Sequence, residues 1–345
     1  LARGGLGLVR AAYSSGKPAY GVGPGNVPAF IERTADVKKA VKDVVAGKSF
    51  DWGTVCASEQ SLIVDLPVAQ KAKELLKQEG CYFVNQREKA QLESLIVDEK
   101  GNLNPKIVAK SPQVIAQMAG FEVPSNIKVL VVGENGVGRE HPLTLEKLSP
   151  VLTYFEEDGW EAGCRRCIEV LNYGGLGHTL CLHSQDLNVI REFALKKPAF
   201  RILVNTPGTH GAIGYTTNLP PALTLGCGAL GNNITSDNIT PLHLMDIKRV
   251  AFETKPINAK DVIPLKPLIS PLEIYGYEYQ QKKDDGDFSP KAPAKEQIDS
   301  PFDFVSEEDV RKAKKENRRI KIHSKTIITP LAKELGENWA IFEKT

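Results

Sequence analysis

Short apolar runs rich in β-branched residues alternate with stretches of helical period, and this alternation limits the fold more than any other feature of the chain. SLIVD (61–65), KVLVVGE (128–134), HTLCLHS (178–184) and FRILVN (200–205) read as buried strands. Around them, ADVKKAVKDVVAGKSF (35–50), residues 67–97, GCRRCIEVLNY (163–173) and DLNVIREFALKK (186–197) space their apolar residues for one buried helix face. Strands this uniformly apolar need cover on both faces, and strands separated by helices pair in parallel. The expected fold class is α/β, with a largely parallel, covered sheet.

The 345 residues suffice for more than one domain. Residues 208–243 are dense in Gly, Asn and Thr, as long site-lining loops are. Composition changes after about residue 256, and EYQQKKDDGDFSPKAPAKEQIDSP (278–301) reads as a charged, Pro-bearing linker. Beyond it, Ser306-Glu-Glu-Asp309 opens a basic helix with a capping-box pattern, and KIHSKTIIT (321–329) alternates like a strand. The formal net charge of +2 argues against a dedicated nucleic-acid surface, and no apolar stretch reaches the ~20 residues of a membrane span. The chain opens on LARGGLGLVR, which reads as the end of an element, so an upstream part is expected.

Six cysteines without a framework spacing fit a reduced, intracellular protein. Cys164-Arg-Arg-Cys167 lies in a helical pattern with no second pair, so both read as helix residues and no metal site is expected. A thiolate attacks carbonyl carbon when its pKa and its access allow. Cys56, in FDWGTVCASEQSLIVD (50–65), follows a Gly-containing turn between small and polar neighbours. Cys81, Cys181 and Cys227 read as core filler as readily as anything else, and residue types alone leave Cys56 open between filler and nucleophile. GVGPGN (21–26) and GENGVG (133–138) approximate phosphate loops without the strand and helix settings that such loops require. His178 is a satisfied structural histidine or an approach to a site.

Four separated segments carry a resemblance: LARGGLGLVRAAYSSGKPAYGVGPGN (1–26), FDWGTVCASEQSLIV (50–64), NTPGTHGAIG (205–214) and LTLGCGALGNN (223–233). In this order they resemble the CoA-acylating branch of the aldehyde dehydrogenase superfamily, notably the propionaldehyde and acetaldehyde dehydrogenases of bacterial microcompartments. The resemblance covers roughly residues 1–255. It implies that Cys56 is the nucleophile, that NAD is the cofactor and that coenzyme A is a co-substrate with a small aldehyde. It further implies that Gly4 and Gly5 flank the nicotinamide beside Val22 and Gly23, and that Glu146 in LEKLSPV holds the nicotinamide ribose. His178 would support proton transfer, and Asn205 and Thr206 would line the pocket. Hydrolytic relatives carry a water-activating glutamate in an ELGGKSP segment; that position is Val22 here, with Cys56 34 residues further on. Valine is no general base, so the acyl-enzyme should wait for a thiol rather than for water.

The resemblance implies these domains: 1–26, a remnant of the NAD-binding domain; 27–255, the catalytic domain; 256–295, an oligomerisation segment and linker; 296–345, an appended module that targets a microcompartment shell or its enzymes. A homo-oligomer in the bacterial cytoplasm, inside a microcompartment, is the corresponding setting. The chain departs from the family at Arg3, where the usual ATGG turn has Thr, and in lacking the upstream cofactor domain and the asparagine that completes the oxyanion hole. A hydrolytic or glutamyl-phosphate-reductase-like enzyme, and a non-catalytic assembly subunit, remain as alternatives.

Overall fold

The computed structural model describes residues 1–4, 6–98, 101–252, 257 and 302–344. It divides into two compact units, Leu1–Val250 and Ala251–Thr345, each taken by itself below. Gly5, the Arg3 side chain and, apart from residue 257, the segment expected to join the units at 256–295 lie outside the described residues.

The first unit opens with β1 (Ala2–Arg3), α1 (Leu6–Tyr13) and β2 (Gly21–Val22), and β1 and β2 pair in parallel as a small ribbon. The main body follows as β3 (Val27–Ile31), α2 (Val37–Ser49), β4 (Glu59–Asp65), α3 (Leu66–Gln78), β5 (Cys81–Phe83) and α4 (Gln86–Ile96). It continues through α5 (Pro112–Ala119), β6 (Val129–Gly133), β7 (Val151–Glu157), α6 (Trp160–Gly174) and β8 (Gly177–His183). The last elements are α7 (Leu187–Lys196), β9 (Ala199–Val204) and the short α8 (Gly208–Ala212). The strands form one seven-stranded sheet in the order β5-β6-β7-β4-β3-β8-β9, and every neighbouring pair is parallel.

Successive side chains of a strand point to opposite faces, and here both faces are covered. Ala29, Ile31, Leu62 and Val64 join Val41, Val44, Ala72 and Leu76 of α2 and α3 on one face. Phe30, Ile63, Phe155, Leu180 and Leu182 join Cys167, Leu171 and Phe193 of α6 and α7 on the other. Leu130, Val132 and Val151 pack with Leu92, Ile96 and Ile115 of α4 and α5. This two-sided burial is why the strand runs are apolar without alternation. The helices begin where side chains satisfy their first amides: Asp36 accepts from Lys39 N, Asn85 and Glu88 form a reciprocal box, and Ser111 accepts from Val114 N.

Two strands that pattern reading passes over are central. VPAFI (β3) contains a proline and sits among turn residues; Pro28 is tolerated because the ladder to β4 shifts register between Val27 and Pro28, and pairing with β8 starts only at Ala29. VLTYFEE (β7) ends in two acidic residues at the sheet edge. The stretch 67–97 is broken by the edge strand β5, which opens on Cys81. GENGVG does not form a phosphate cradle: a Cβ on Gly136 would lie 2.3 Å from His141 Nε2, and Glu134 takes His141 Nδ1 and Lys89 Nζ at 2.8 Å each. Cys164 and Cys167 face the core from α6, and no group of three or more metal-ligating side chains occurs among the described residues. No described helix is long and apolar enough to cross a membrane.

The second unit is a small parallel sheet in the order β10 (Phe302–Val305), β11 (Ile320–Ile328), β12 (Phe342–Lys344), joined by α9 (Glu307–Lys315) and α10 (Pro330–Asn338). Val305, Val310, Ala313, Ile320, Ala332 and Ile341 form its core. Ser306 and Asp309 make the reciprocal cap, with Ser306 N donating to Asp309 Oδ2 at 2.9 Å.

Candidate active site

Because all seven strands run the same way, the segments entering them gather at one edge of the sheet. The approach to β3 brings Gly25, the approach to β4 brings Cys56, and the start of β8 brings His178. A Cβ on Gly25 would lie 2.4 Å from the Cys56 carbonyl oxygen and 3.0 Å from Cγ and Cδ2 of His178, so glycine is what lets the three segments close together.

Cys56 occupies the second position of a turn closed by the Ser58 N–H on Val55 O at 2.8 Å. The turn follows Asp51, Trp52 and Gly53, all at positive φ, and Gly53 presses against Ser149 O. Val55, Ala57 and Ser58 are buried while Cys56 between them is half-exposed. All six cysteines are reduced, and the other five are buried. Burial pushes Cys81, Cys167 and Cys227 up to about 12 and raises Cys181 well above the ordinary thiol value. Access therefore singles out Cys56 where residue type does not.

His178 is fully buried, with Nδ1 at 2.9 Å from Thr179 Oγ1. Behind it lies Arg201, a residue without any sequence signal. Its buried guanidinium donates to His178 O (3.3 Å), Gly226 O (2.8 Å), Ser236 O (2.8 Å), Asp237 O (3.1 Å) and Asn238 Oδ1 (2.7 Å). Burial pulls the Arg201 pKa down. Arg201 thus folds the 225–238 loop against the start of β8. There Gly177, at φ +77°, passes so near Cys227 O that a Cβ would stand 1.8 Å from it.

The floor of the site is a buried polar cluster. Glu146 Oε1 accepts from Gly25 N at 3.0 Å, and burial pushes its carboxyl up to about 7. Gln60 Oε1 accepts from Lys147 N (3.1 Å) and Lys48 Nζ (3.2 Å), and its Nε2 donates to Ser58 O (3.2 Å). Lys147 Nζ reaches Gln60 O, Leu143 O and Leu145 O at 3.1, 2.7 and 2.9 Å. Burial brings Lys48 down to about 7 and Glu59 up to about 7. Glu59 Oε1 in turn accepts from Gly208 N at 2.6 Å, tying NTPGTHGAIG to the back of the cysteine turn.

Val22 is buried with Cys227 and Ile239, and Gly4 N reaches Val22 O at 3.5 Å, so Gly4, Val22 and Gly23 share one strip of backbone. Asn205 and Thr206 lie elsewhere. Asn205 follows the end of β9, at the opposite edge of the sheet, where Oδ1 accepts from Ser184 N (3.0 Å) and Nδ2 donates to Ser184 O (2.8 Å). A six-residue strand separates this edge from that of Cys56 by roughly 20 Å. Thr206 Oγ1 pairs with Thr216 Oγ1 at 2.6 Å. Gly208, two residues beyond Thr206, returns to the cysteine turn, where a Cβ on it would lie 2.8 Å from Ala57 O. A nicotinamide cofactor fits the residues present: a Cβ on Gly23 would meet nothing within 4 Å, so the backbone there is open to a ligand, and the Glu146 carboxylate can accept a hydrogen bond from a hydroxyl.

No family model matches the chain. Curated relatives do: aldehyde-alcohol dehydrogenase 2 of Entamoeba histolytica is 43% identical over 260 residues, 73% of this chain and 30% of the relative. Among solved structures, an acetylating aldehyde dehydrogenase from Geobacillus thermoglucosidasius is 54% identical with a TM-score of 0.72, over 74% of this chain and 56% of that one. A propionaldehyde dehydrogenase from the fucose-utilisation microcompartment of Clostridium phytofermentans is 27% identical with a TM-score of 0.62, over 68% of this chain and 53% of that one. The chain therefore spans about a third to just over half of these relatives. Over the three-quarters of its length that the stronger of these alignments cover, the chain belongs to the acylating aldehyde dehydrogenase family.

Proposed function

We propose that the protein oxidises a short aliphatic aldehyde, propionaldehyde or acetaldehyde, to its acyl-CoA through a thioester on Cys56. The observation that carries this is the partly exposed Cys56 at the sheet edge where Gly25 and His178 close on its turn, with Val22, the residue that the resemblance aligns with a water-activating carboxylate, buried. The Cys56 thiolate adds to the aldehyde carbon, and the carbonyl electrons move onto oxygen. Backbone N–H groups including that of Cys56 stabilise the oxyanion, each such donor typically contributing ~3 kcal/mol. NAD, when bound, supplies the hydride acceptor. By the resemblance, Gly4, Gly5, Val22 and Gly23 would flank it, and Glu146 would hold its ribose. Loss of hydride leaves Cys56 as a thioester. The CoA thiol, deprotonated with help from the His178 imidazole, attacks that carbonyl, and Cys56 departs as thiolate. Hydrophobic Val22 activates no water, so hydrolysis does not compete.

The appended module at 296–345 is read as a docking element for a microcompartment shell or enzyme, which the microcompartment origin of one relative supports. Deleting it should release the enzyme from shell co-purification; unchanged co-purification would reject that role. The main test is a product assay in the complete enzyme. Aldehyde and NAD without CoA should yield about one equivalent of NADH per Cys56 and then stop, and CoA should restore turnover to acyl-CoA. Carboxylic acid formed at full rate without CoA would reject the reading.

A further inference from the structure

Three hydrogen bonds and one close backbone approach form a ring beneath the site. From the cysteine turn, Ser58 O accepts from Gln60 Nε2; Gln60 Oε1 accepts from Lys147 N; the adjacent residue, Glu146, accepts from Gly25 N; and Gly25 abuts Cys56 O, completing the circuit. A second strut runs from Lys147 Nζ to Gln60 O, Leu143 O, Leu145 O and Thr153 Oγ1. Gln60, Lys147 and Lys48 are all fully buried, and Lys48 Nζ also ends on Gln60 Oε1.

We propose that Gln60 is a positioning residue that sets the spacing between the Cys56 turn and Glu146, and so between the reacting carbon and the cofactor held by that carboxylate. This rests on the acylating reading above for the roles of Cys56 and Glu146. Gln60 suits the task because its amide oxygen accepts from two donors while its NH2, about 2 Å away, donates to a carbonyl, so one neutral side chain spans Lys147 and Ser58. In such a dry setting two lysine-bearing segments need an acceptor that is fixed in place, and burial, which lowers both Lys48 and Lys147, makes a neutral acceptor sufficient. Gln60 touches no reactant: it works through Ser58 on one side and Lys147 on the other. A misplacement of about 1 Å between reacting groups can cost about 10²-fold in rate.

The test compares wild type, Gln60→Glu and Gln60→Met in the complete enzyme. Glu keeps the acceptor for Lys147 N and Lys48 but loses the donor to Ser58; Met loses both. The expected order is a tenfold loss of kcat for Glu and a hundredfold loss for Met. A deuterium isotope effect on kcat with 1-deutero-aldehyde should appear, and Cys56 alkylation by iodoacetamide should stay within threefold. Without any cofactor, amide exchange over residues 23–28 should accelerate at least tenfold in Met, as the Gly25–Glu146 contact loosens. A folded Met variant with wild-type kcat, isotope effect and exchange would overturn the proposal. If Met does not fold, a Glu variant with wild-type kcat and isotope effect overturns it instead. Absence of acyl-CoA from the wild type would reject the acylating reading itself, whatever the variants do.

Discussion

Gly25→Ala puts the site geometry under direct test. Gly25 is not at positive φ, so alanine is acceptable to its own backbone and only space is at issue. The added carbon would lie 2.4 Å from Cys56 O and 3.0 Å from the His178 ring, where ordinary contact begins at 3.4 Å. Both obstacles are held: the oxygen is backbone in a hydrogen-bonded turn, and His178 is buried against the loop that Arg201 fastens. About 1 Å must therefore open between Gly25 and the cysteine turn. Overpacking of this kind costs about 1–3 kcal/mol of stability, and a nucleophile displaced by that much can lose about 10²-fold in rate. We expect kcat/KM for acyl-CoA formation to fall about a hundredfold while denaturation shows a folded protein with its midpoint only modestly lowered. Gly133→Ala, where the new carbon meets nothing within 4 Å, is the matched control and should be near neutral. An alanine at 25 with activity within threefold of wild type would mean that the three segments do not meet as described.

Further outcomes follow from the same contacts. Thiol labelling should find Cys56 reacting well ahead of the other five cysteines, and Cys56→Ser should abolish both that label and turnover; equal labelling of Cys227 would contradict the burial assigned to it. Arg201→Met strands several buried acceptors and should cost roughly 3 kcal/mol, with faster labelling of Cys227 as its loop loosens; unchanged denaturation and labelling would refute Arg201 as the fastening. Burial opposes the charged form of Asp65. Two Arg33 nitrogens at 2.7 and 3.0 Å and the Gly159 amide at 3.0 Å outweigh it and hold the carboxyl below the usual range. A depressed folded value means stability that is present above the ordinary carboxylate pKa near 4 and is lost as pH falls below it. Asp65→Asn should therefore cost roughly 2 kcal/mol at pH 7 and clearly less at pH 3 in urea denaturation; an equal gap at both would refute the ion pair.

Much of this was readable in the chain. Apolar runs of the right length between helical periods imply a covered parallel sheet, since no other arrangement hides both faces of such strands. SLIVD, KVLVVGE, HTLCLHS and FRILVN all became strands of it. The family motifs named Cys56, and the substitution at Val22 carried a chemical statement that needed no coordinates. Local pattern did not reveal VPAFI and VLTYFEE as central strands, because a proline and a pair of glutamates obscure a position that only the ladder makes tolerable.

Access and proximity belonged to the tertiary structure. Six thiols have the same intrinsic chemistry, and only packing left one of them partly open while pushing others beyond ionisation. Asn205 stands in a family motif yet follows the far end of β9, where its amide pairs with Ser184, while Gly208 of the same motif reaches Glu59 behind the cysteine turn. Arg201 lies in no motif, and Gln60 stands in the cysteine motif without a role that sequence assigns; their importance comes from donors and acceptors up to 87 residues away, which the parallel sheet brings to one edge. Composition and order set what this chain could form, and the long-range closure of Gly25, Cys56, Glu146 and His178 assembled the candidate site.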